Sequence, residues 1–309
     1  MEFLYILEKI RNPFLDKLLL AITTLGEETA FLVMGLIMFW CISKRGGYYL
    51  MSVGFLGTIT SQAMKIACKI PRPWVKDPGF SILEEAREAA SGYSFPSGHT
   101  QTAVGTFGAI ARTSKNAAVR WISIVLAVLV GFSRMYVGVH TPADVLVGAA
   151  ISLVFIFALH PLIYGKKDRT FPVLIALGVI SLVYLTVMES VSFPADIDTH
   201  NLQSAMKNAY TLLGATVGLA VVYPLEKKFI NFEESAVWWV QIIKVVLGLG
   251  LVLAVKEGLR DFLDFVCGGH LIARSIRYFL IVIVAGLLWP MNFRFFNRRK
   301  GNKNGENCC

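Results

Sequence analysis

Residues 133–148 read SRMYVGVHTPADVLVG. They join two apolar runs, 118–138 and 142–164, each long enough to cross a hydrocarbon core of about 30 Å, which takes roughly 20 helical residues. Three ionisable side chains, Arg134, His140 and Asp144, interrupt that apolar sequence. Ionisable groups at membrane depth are costly and mark functional sites by default. The stretch therefore fixes both the fold class, a bundle of membrane helices, and the place to look for chemistry.

The rest of the chain agrees. Of 309 residues, 55% are hydrophobic and 17% charged, against about 25% charged in soluble domains. Apolar runs suggest nine spans, at about 27–43, 48–69, 97–113, 118–138, 142–164, 171–191, 205–224, 237–256 and 271–289. All are expected to be helical, because a lipid-facing backbone must satisfy its own hydrogen bonds. Residues 3–25 read instead as two short interfacial or re-entrant helices, with Asn12 as cap and Pro13 as first residue of the second. The four regions are then 1–26, the N-terminal segment; 27–165, a helical core; 166–290, additional spans; and 291–309, a basic tail.

No cleavable signal peptide is expected, since the N-terminus has acidic residues and lacks a small-residue cleavage site. The five cysteines are scattered and imply no disulfide framework. The net charge of +9 fits cytoplasmic loops and anionic membrane lipids rather than nucleic acid. Lys44 and Arg45, then Arg112, Lys115 and Arg120, then Lys166, Lys167 and Arg169, then Lys227 and Lys228, and the basic tail fall in alternate connections. The positive-inside rule makes these cytoplasmic and puts the N-terminus and the loops at 70–96, 139–141, 192–204 and 257–270 outside.

Three clusters meet on that outer side. KIACKIPRP carries Lys65, Arg72 and Pro73; FPSGHT carries Pro96, Ser97, Gly98 and His99; the opening stretch carries Arg134, His140 and Asp144. A single membrane lysine usually snorkels, and a single histidine is usually a bonded core residue. Convergence of all of them at one level is harder to explain that way. Lys65, Arg72 and Arg134 suit a group with two negative charges and several oxygens, namely phosphate. Ser97 fits the N-cap of a helix whose Gly98 and His99 N–H groups make an anion site. Thr141, Pro142 and Asp144 fit a helix start just after His140. Asp144 can then accept the Nδ1 proton of His140 and leave Nε2 as nucleophile, while His99 protonates the leaving oxygen. The expected intermediate is a phosphohistidine, and the scheme calls for no metal and no cofactor.

K-x6-RP, PSGH and SR-x5-H-x3-D, in this order, resemble the three-part signature of the type 2 phosphatidic acid phosphatase (PAP2) superfamily, which includes lipid phosphatases and the vanadium haloperoxidases. The resemblance covers about 48–150 and implies an all-α, haloperoxidase-like core. It implies His140 as nucleophile, His99 as general acid, and Lys65, Arg72, Ser97, Gly98 and Arg134 as the phosphate clamp, at the extracytoplasmic face. The architecture is similar to the glucose-6-phosphatase and sphingosine-1-phosphate phosphatase branches. The expected substrate is a lipid or isoprenoid phosphate; the alternatives are a soluble sugar phosphate, or transfer of the phosphate to another alcohol. A haloperoxidase is disfavoured by the spans, and a non-catalytic relative by the presence of both histidines. The expected location is a bacterial plasma membrane, or the endoplasmic reticulum with a luminal site in a eukaryote.

Two weaker features stand apart. Asp196-Ile197-Asp198-Thr199 resembles another phosphatase motif, but lies between spans and reads as capping residues. Glu84, Glu85, Arg87 and Glu88 read as a short exposed helix in the loop between the first two motifs.

Overall fold

The computed structural model describes residues 1–297 except 88, 89, 91, 195 and 196. The described residues form helices and connections, with no strand among them. In chain order the helices are α1 (Glu2–Lys9), α2 (Pro13–Thr23), α3 (Glu28–Ile37), α4 (Lys44–Cys68), α5 (Pro73–Lys76), α6 (Gly98–Thr113), α7 (Ala117–Tyr136), α8 (Pro142–Tyr164), α9 (Thr170–Ser190), α10 (Thr199–Leu225), α11 (Trp238–Gly258), α12 (Arg260–Val266) and α13 (Ile272–Ile283). The chain then continues through a π-helical turn at Val284–Leu288 to α14 (Trp289–Met291) and α15 (Phe293–Asn297).

Local chemistry sets the ends. Asn12 caps α2, accepting a hydrogen bond from Leu15 N, and Pro13 is its first residue, where a missing N–H costs nothing. Thr141 and Asp144 form a reciprocal capping box at the start of α8, with Pro142 at its first position. Asp198 caps α10 through a 2.6 Å bond from Asn201 N, which fits the capping reading of that tetrapeptide; Asp196 lies outside the described residues.

Among the described residues, six helices are long and apolar enough to cross a membrane on their own, or seven spans if the bent pair Pro13–Gly26 and Glu28–Ile42 is one. The expected count of nine is therefore not reproduced by length and composition. The shortfall has a physical reason. α3 is short and ends in a π-helical turn, Met38–Ile42. α6 has 16 residues. α4 is 25 residues long, but rich in Gly, Ser and Thr and mostly buried. It packs against α6, α8, α9 and α10, so it faces protein and needs no lipid-compatible surface. α11 shows the converse, with only 17% of its most apolar window buried.

The N-terminal segment forms two helices, as its sequence suggests, and α2 packs along α7. Arg11 donates to the Tyr136 carbonyl at 3.1 Å, and the Tyr136 hydroxyl donates to Asp16 at 2.7 Å. The expected exposed helix at 84–88 is a single 3-10 turn, Glu84–Ala86, with Glu88 outside the described residues. Ala86 and Ala90 are buried against Leu19, Val137 and Val139, so apolar packing pins this loop over the ends of α2 and α7.

Candidate active site

The first cluster sits at the end of α4. Lys65 lies in its last turn, and the helix closes on Lys69 in the left-handed conformation, φ 49°. Pro71 and Pro73 flank Arg72, which is the N-cap of α5. Lys65 Nζ donates to the Tyr93 carbonyl at 2.8 Å. Arg72 donates from Nε to the Gly92 carbonyl and from Nη1 to the Val139 carbonyl, each at 3.0 Å. Gly92 has φ +71°, and a Cβ there would lie 2.5 Å from the Asn201 amide. Only glycine serves at this point. Burial pulls the Arg72 guanidinium down to about 10, still charged at neutral pH.

The second cluster opens α6. Ser97 accepts from Thr100 N at 3.4 Å and Thr100 Oγ1 at 2.9 Å, and its own N–H donates to the Asp144 carbonyl at 3.0 Å. Its side chain is thus spent as a cap, and it does not line the cavity described below. Gly98 does line that cavity, with nothing within 4 Å of where a Cβ would point. His99 also faces it, and its Nε2 is buried without a hydrogen-bond partner among the described residues.

The third cluster joins α7 to α8. Arg134 is 1% exposed. Its Nη1 donates to Thr23 Oγ1 at 2.7 Å, while Nε and Nη2 have no partner among the described residues. His140 Nε2 lies 2.9 Å from Arg72 Nη1. Since a guanidinium can only donate, Nε2 is the acceptor nitrogen and the ring proton sits on Nδ1. Burial first, then Arg72, Arg134 and Lys65, hold the His140 imidazolium well below the usual histidine range. The ring is neutral at neutral pH.

Asp144 does not reach His140 as directly as its spacing suggests. The Nδ1–Oδ2 distance is 3.6 Å, beyond a hydrogen bond. Ser94 stands between them: its Oγ donates to Asp144 Oδ2 at 2.6 Å and lies 3.4 Å from His140 Nδ1. Asp144 Oδ2 also accepts from Thr141 N at 2.7 Å. The carboxylate therefore orients the ring through Ser94, one residue before the quoted FPSGHT.

Lys65, Arg72, Gly98, His99, Arg134 and His140 line one cavity of about 390 Å³. Ser97 and Asp144 stand behind it. Sequence reasoning missed several contributors: Ser94, Thr23, and the wall residues Glu27, Glu28, His200 and Asn201. Among the described residues no group of three or more His, Cys, Asp or Glu side chains is placed to hold a metal ion. The chemistry on offer is a histidine lone pair, a second histidine, and a set of cations around a space with ample room for a phosphate group.

Residues 45–168 match the PAP2 superfamily, and residues 210–301 match the transmembrane extension of PAP2 superfamily phosphatases. An undecaprenyl-diphosphatase of Bacillus subtilis is 29% identical over 152 residues, 47% of this chain and 74% of that relative. Phosphatidylglycerophosphatase B of the same organism is 31% identical over 163 residues, 48% of this chain and 75% of the relative. A Dictyostelium discoideum protein named "Probable sphingosine-1-phosphate phosphatase" is 29% identical over 165 residues, 49% of this chain and 39% of the relative. No solved structure matches the chain. The match to the family over the segment that carries all three clusters, on a bundle of apolar helices, makes this chain an integral membrane phosphatase of the PAP2 superfamily.

Proposed function

We propose that this protein hydrolyses the phosphate ester or diphosphate of a lipid or isoprenoid, through a phosphohistidine on His140, at the extracytoplasmic face of a bacterial plasma membrane. The observation that carries the reading is the shared cavity: six signature residues from four consecutive stretches of chain face one space. The three relatives are named for undecaprenyl diphosphate, phosphatidylglycerophosphate and sphingosine 1-phosphate, all amphiphiles with a hydrocarbon tail.

In this reading Arg72, Lys65 and Arg134 bind the phosphate oxygens, with Gly98 and His99 N–H groups at the start of α6. Arg72 Nη1 turns from His140 Nε2 to a phosphate oxygen and frees the lone pair. Nε2 attacks phosphorus, the P–O bond to the leaving group breaks, and His99 gives that oxygen a proton. Neutral His99 then takes a proton from water. The resulting attack breaks the P–N bond, releasing phosphate and restoring His140. Ser94 and Asp144 hold the ring with its proton on Nδ1 throughout.

Helix direction supports the proposed facing of the site. α4 runs from Lys44 and Arg45 to Lys65, α6 from His99 to Arg112, and α8 from Asp144 toward Lys166. The basic connections lie at the other ends of the helices that carry the site, which supports an outward-facing site. α3, α4 and α6 complete nine spans in this reading. The functional division is an N-terminal segment 1–26, a catalytic core 27–165, further spans 166–290 and a basic tail 291–309.

The test is phosphate release by purified protein from phosphatidate, undecaprenyl diphosphate, phosphatidylglycerophosphate, sphingosine 1-phosphate and glucose 6-phosphate. Turnover of at least one amphiphile, abolished in His140→Ala, is expected. Turnover of glucose 6-phosphate alone contradicts the lipid reading.

A further inference from the structure

The phosphate cavity has an apolar neighbour. A second cavity, about 150 Å³, lies between α3 and α4 on one side and α10, α11 and α13 on the other. Glu28, Thr58 and Thr102 line both cavities. They are a polar border shared by the two cavities, and beyond it the walls are nearly all hydrocarbon: Phe31, Leu36 and Met51 on one side, Leu219, Ile281 and Val282 on the other.

The dimensions are informative. On α4 the lining runs from Thr58 at the shared border to Gly47, eleven residues, or about 16 Å at roughly 1.5 Å per residue. On α10 it runs from Asn208 to Leu219, the same length. That is about half of a roughly 30 Å hydrocarbon core, the depth of one leaflet. Phe39 and Tyr48 line the far end. They meet edge to face at 5.3 Å, and Trp40 Nε1 donates to the Ala285 carbonyl at 2.8 Å, tying α3's end to the π-helical turn after α13.

One whole wall belongs to the C-terminal extension matched at 210–301. Leu212, Ala215, Leu219, Ile281 and Val282 all fall in it, whereas the phosphate site draws on none of that segment. The extension therefore contributes nothing to the phosphate clamp and one side of the apolar space beneath it. A water-filled apolar space of this kind is unfavourable, and a hydrocarbon chain is the occupant that both its lining and its continuity with a phosphate site select.

We propose that the C-terminal extension makes this enzyme a reader of chain length: the substrate's phosphate sits among Lys65, Arg72 and Arg134, its first polar groups pass Glu28, Thr58 and Thr102, and its hydrocarbon tail lies in the apolar chamber against α10 and α13. This rests on the phosphatase reading of the site. The chamber sets an upper length through Phe39 and Tyr48, the aromatic side chains that line its far end.

The test uses the full-length protein in detergent and a series of alkyl monophosphates, each kept below its micelle concentration, with phenyl phosphate as the tailless member. The expected kcat/KM rises by up to about fourfold per added methylene until the chamber is filled, then levels off. Ile281→Trp is expected to lower kcat/KM for dodecyl phosphate at least tenfold and that for phenyl phosphate less than twofold. Leu36→Trp, nearer the far end, is expected to move the plateau to shorter chains. A measurement on the unaltered protein stands beside these variants: an alkyl phosphate with a diazirine at its chain end should, on irradiation, label α10 or α13. A flat chain-length series, or labelling confined to lipid-facing residues such as Leu146 and Phe157, overturns the proposal. If phenyl phosphate is hydrolysed in a His140-dependent way while chain length has no effect, the chamber reading alone fails. If no phosphate ester is hydrolysed, the phosphatase reading itself fails.

Discussion

Cations pack into both ends of this bundle, and two sets of them are treated in opposite ways. At the end away from the site, Lys44 Nζ meets Glu226 at 3.0 Å, Asn231 at 3.2 Å and the Phe232 carbonyl at 2.9 Å, and lies 4.7 Å from the Phe232 ring centroid. Lys244 is capped by the Glu233 and Glu234 carbonyls, each at 3.3 Å, over the Phe293 ring. At the site end, Arg134 keeps Nε and Nη2 unpartnered among the described residues, and Lys65 spends one bond on a carbonyl. A buried donor without a partner costs about 1–3 kcal/mol, more when charged. The first set is saturated and holds the helices together. The second leaves donors without a partner among the described residues, as the proposed anion site requires.

This contrast can be broken experimentally. The largest effect is expected from Arg134→Met, which removes donors that only the substrate completes: kcat/KM should fall about 10²–10³-fold, as for loss of a preorganised anion contact. The melting temperature should hold or rise, because an uncompensated buried charge is gone. Paired kinetics and thermal melts check this, and a destabilised but fully active variant would reverse the assignment. Lys44→Met should behave the opposite way. It strands Glu226, which is 3% exposed, and such a loss costs about 3–5 kcal/mol. Thermal melts should show the drop, while kcat/KM per folded molecule stays within about twofold.

Smaller effects sharpen the picture around His140. Ser94→Ala should lower kcat by roughly tenfold with KM little changed, since an outer partner that orients a ring typically contributes about 10–100-fold. Ser94→Thr, which keeps the hydroxyl, should recover part of it; equal loss in both variants would argue for a packing role. The pH dependence is subtler. His140 is neutral when buried among cations, with its protonation pushed below the ordinary value of about 6.5. The acid limb of kcat/KM in the free enzyme should therefore lie below pH 6.5. The sign for stability follows: below about pH 6.5 the unfolded chain binds the proton more readily at this position, so burial of neutral His140 favours unfolding progressively as pH falls. An acid limb above pH 6.5 would contradict the cationic surroundings.

Much of the site was legible because its residue types have few other uses in an apolar chain. Lys65, Arg72, His99, Arg134 and His140 each interrupt or flank a run in which charge is expensive, and the turns around them announce themselves through Asn12-Pro13, Ser97-Gly98 and Thr141-Pro142. The parts that were missed depend on distance along the chain. Thr23 meets Arg134 across 111 positions, and Tyr93 meets Lys65 across 28. Ser94 reaches Asp144 across 50, and nothing local distinguishes it from any other serine. Length and composition recover fewer than the nine expected spans for a related reason. Whether α4 and α6 face lipid or protein is decided by their neighbours, and their glycines and hydroxyls are compatible with a protein-lined interior. Ser97 teaches the reverse lesson: a residue placed correctly as a helix cap was, by that very bond, turned away from the cavity.

The most direct measurement is a rapid quench of the protein with a ³²P-labelled substrate, followed by denaturation and partial hydrolysis. A labelled intermediate that is stable in alkali, lost in acid and absent from His140→Ala is the predicted result. A label that survives acid, or one that persists without His140, would contradict covalent attack by this histidine.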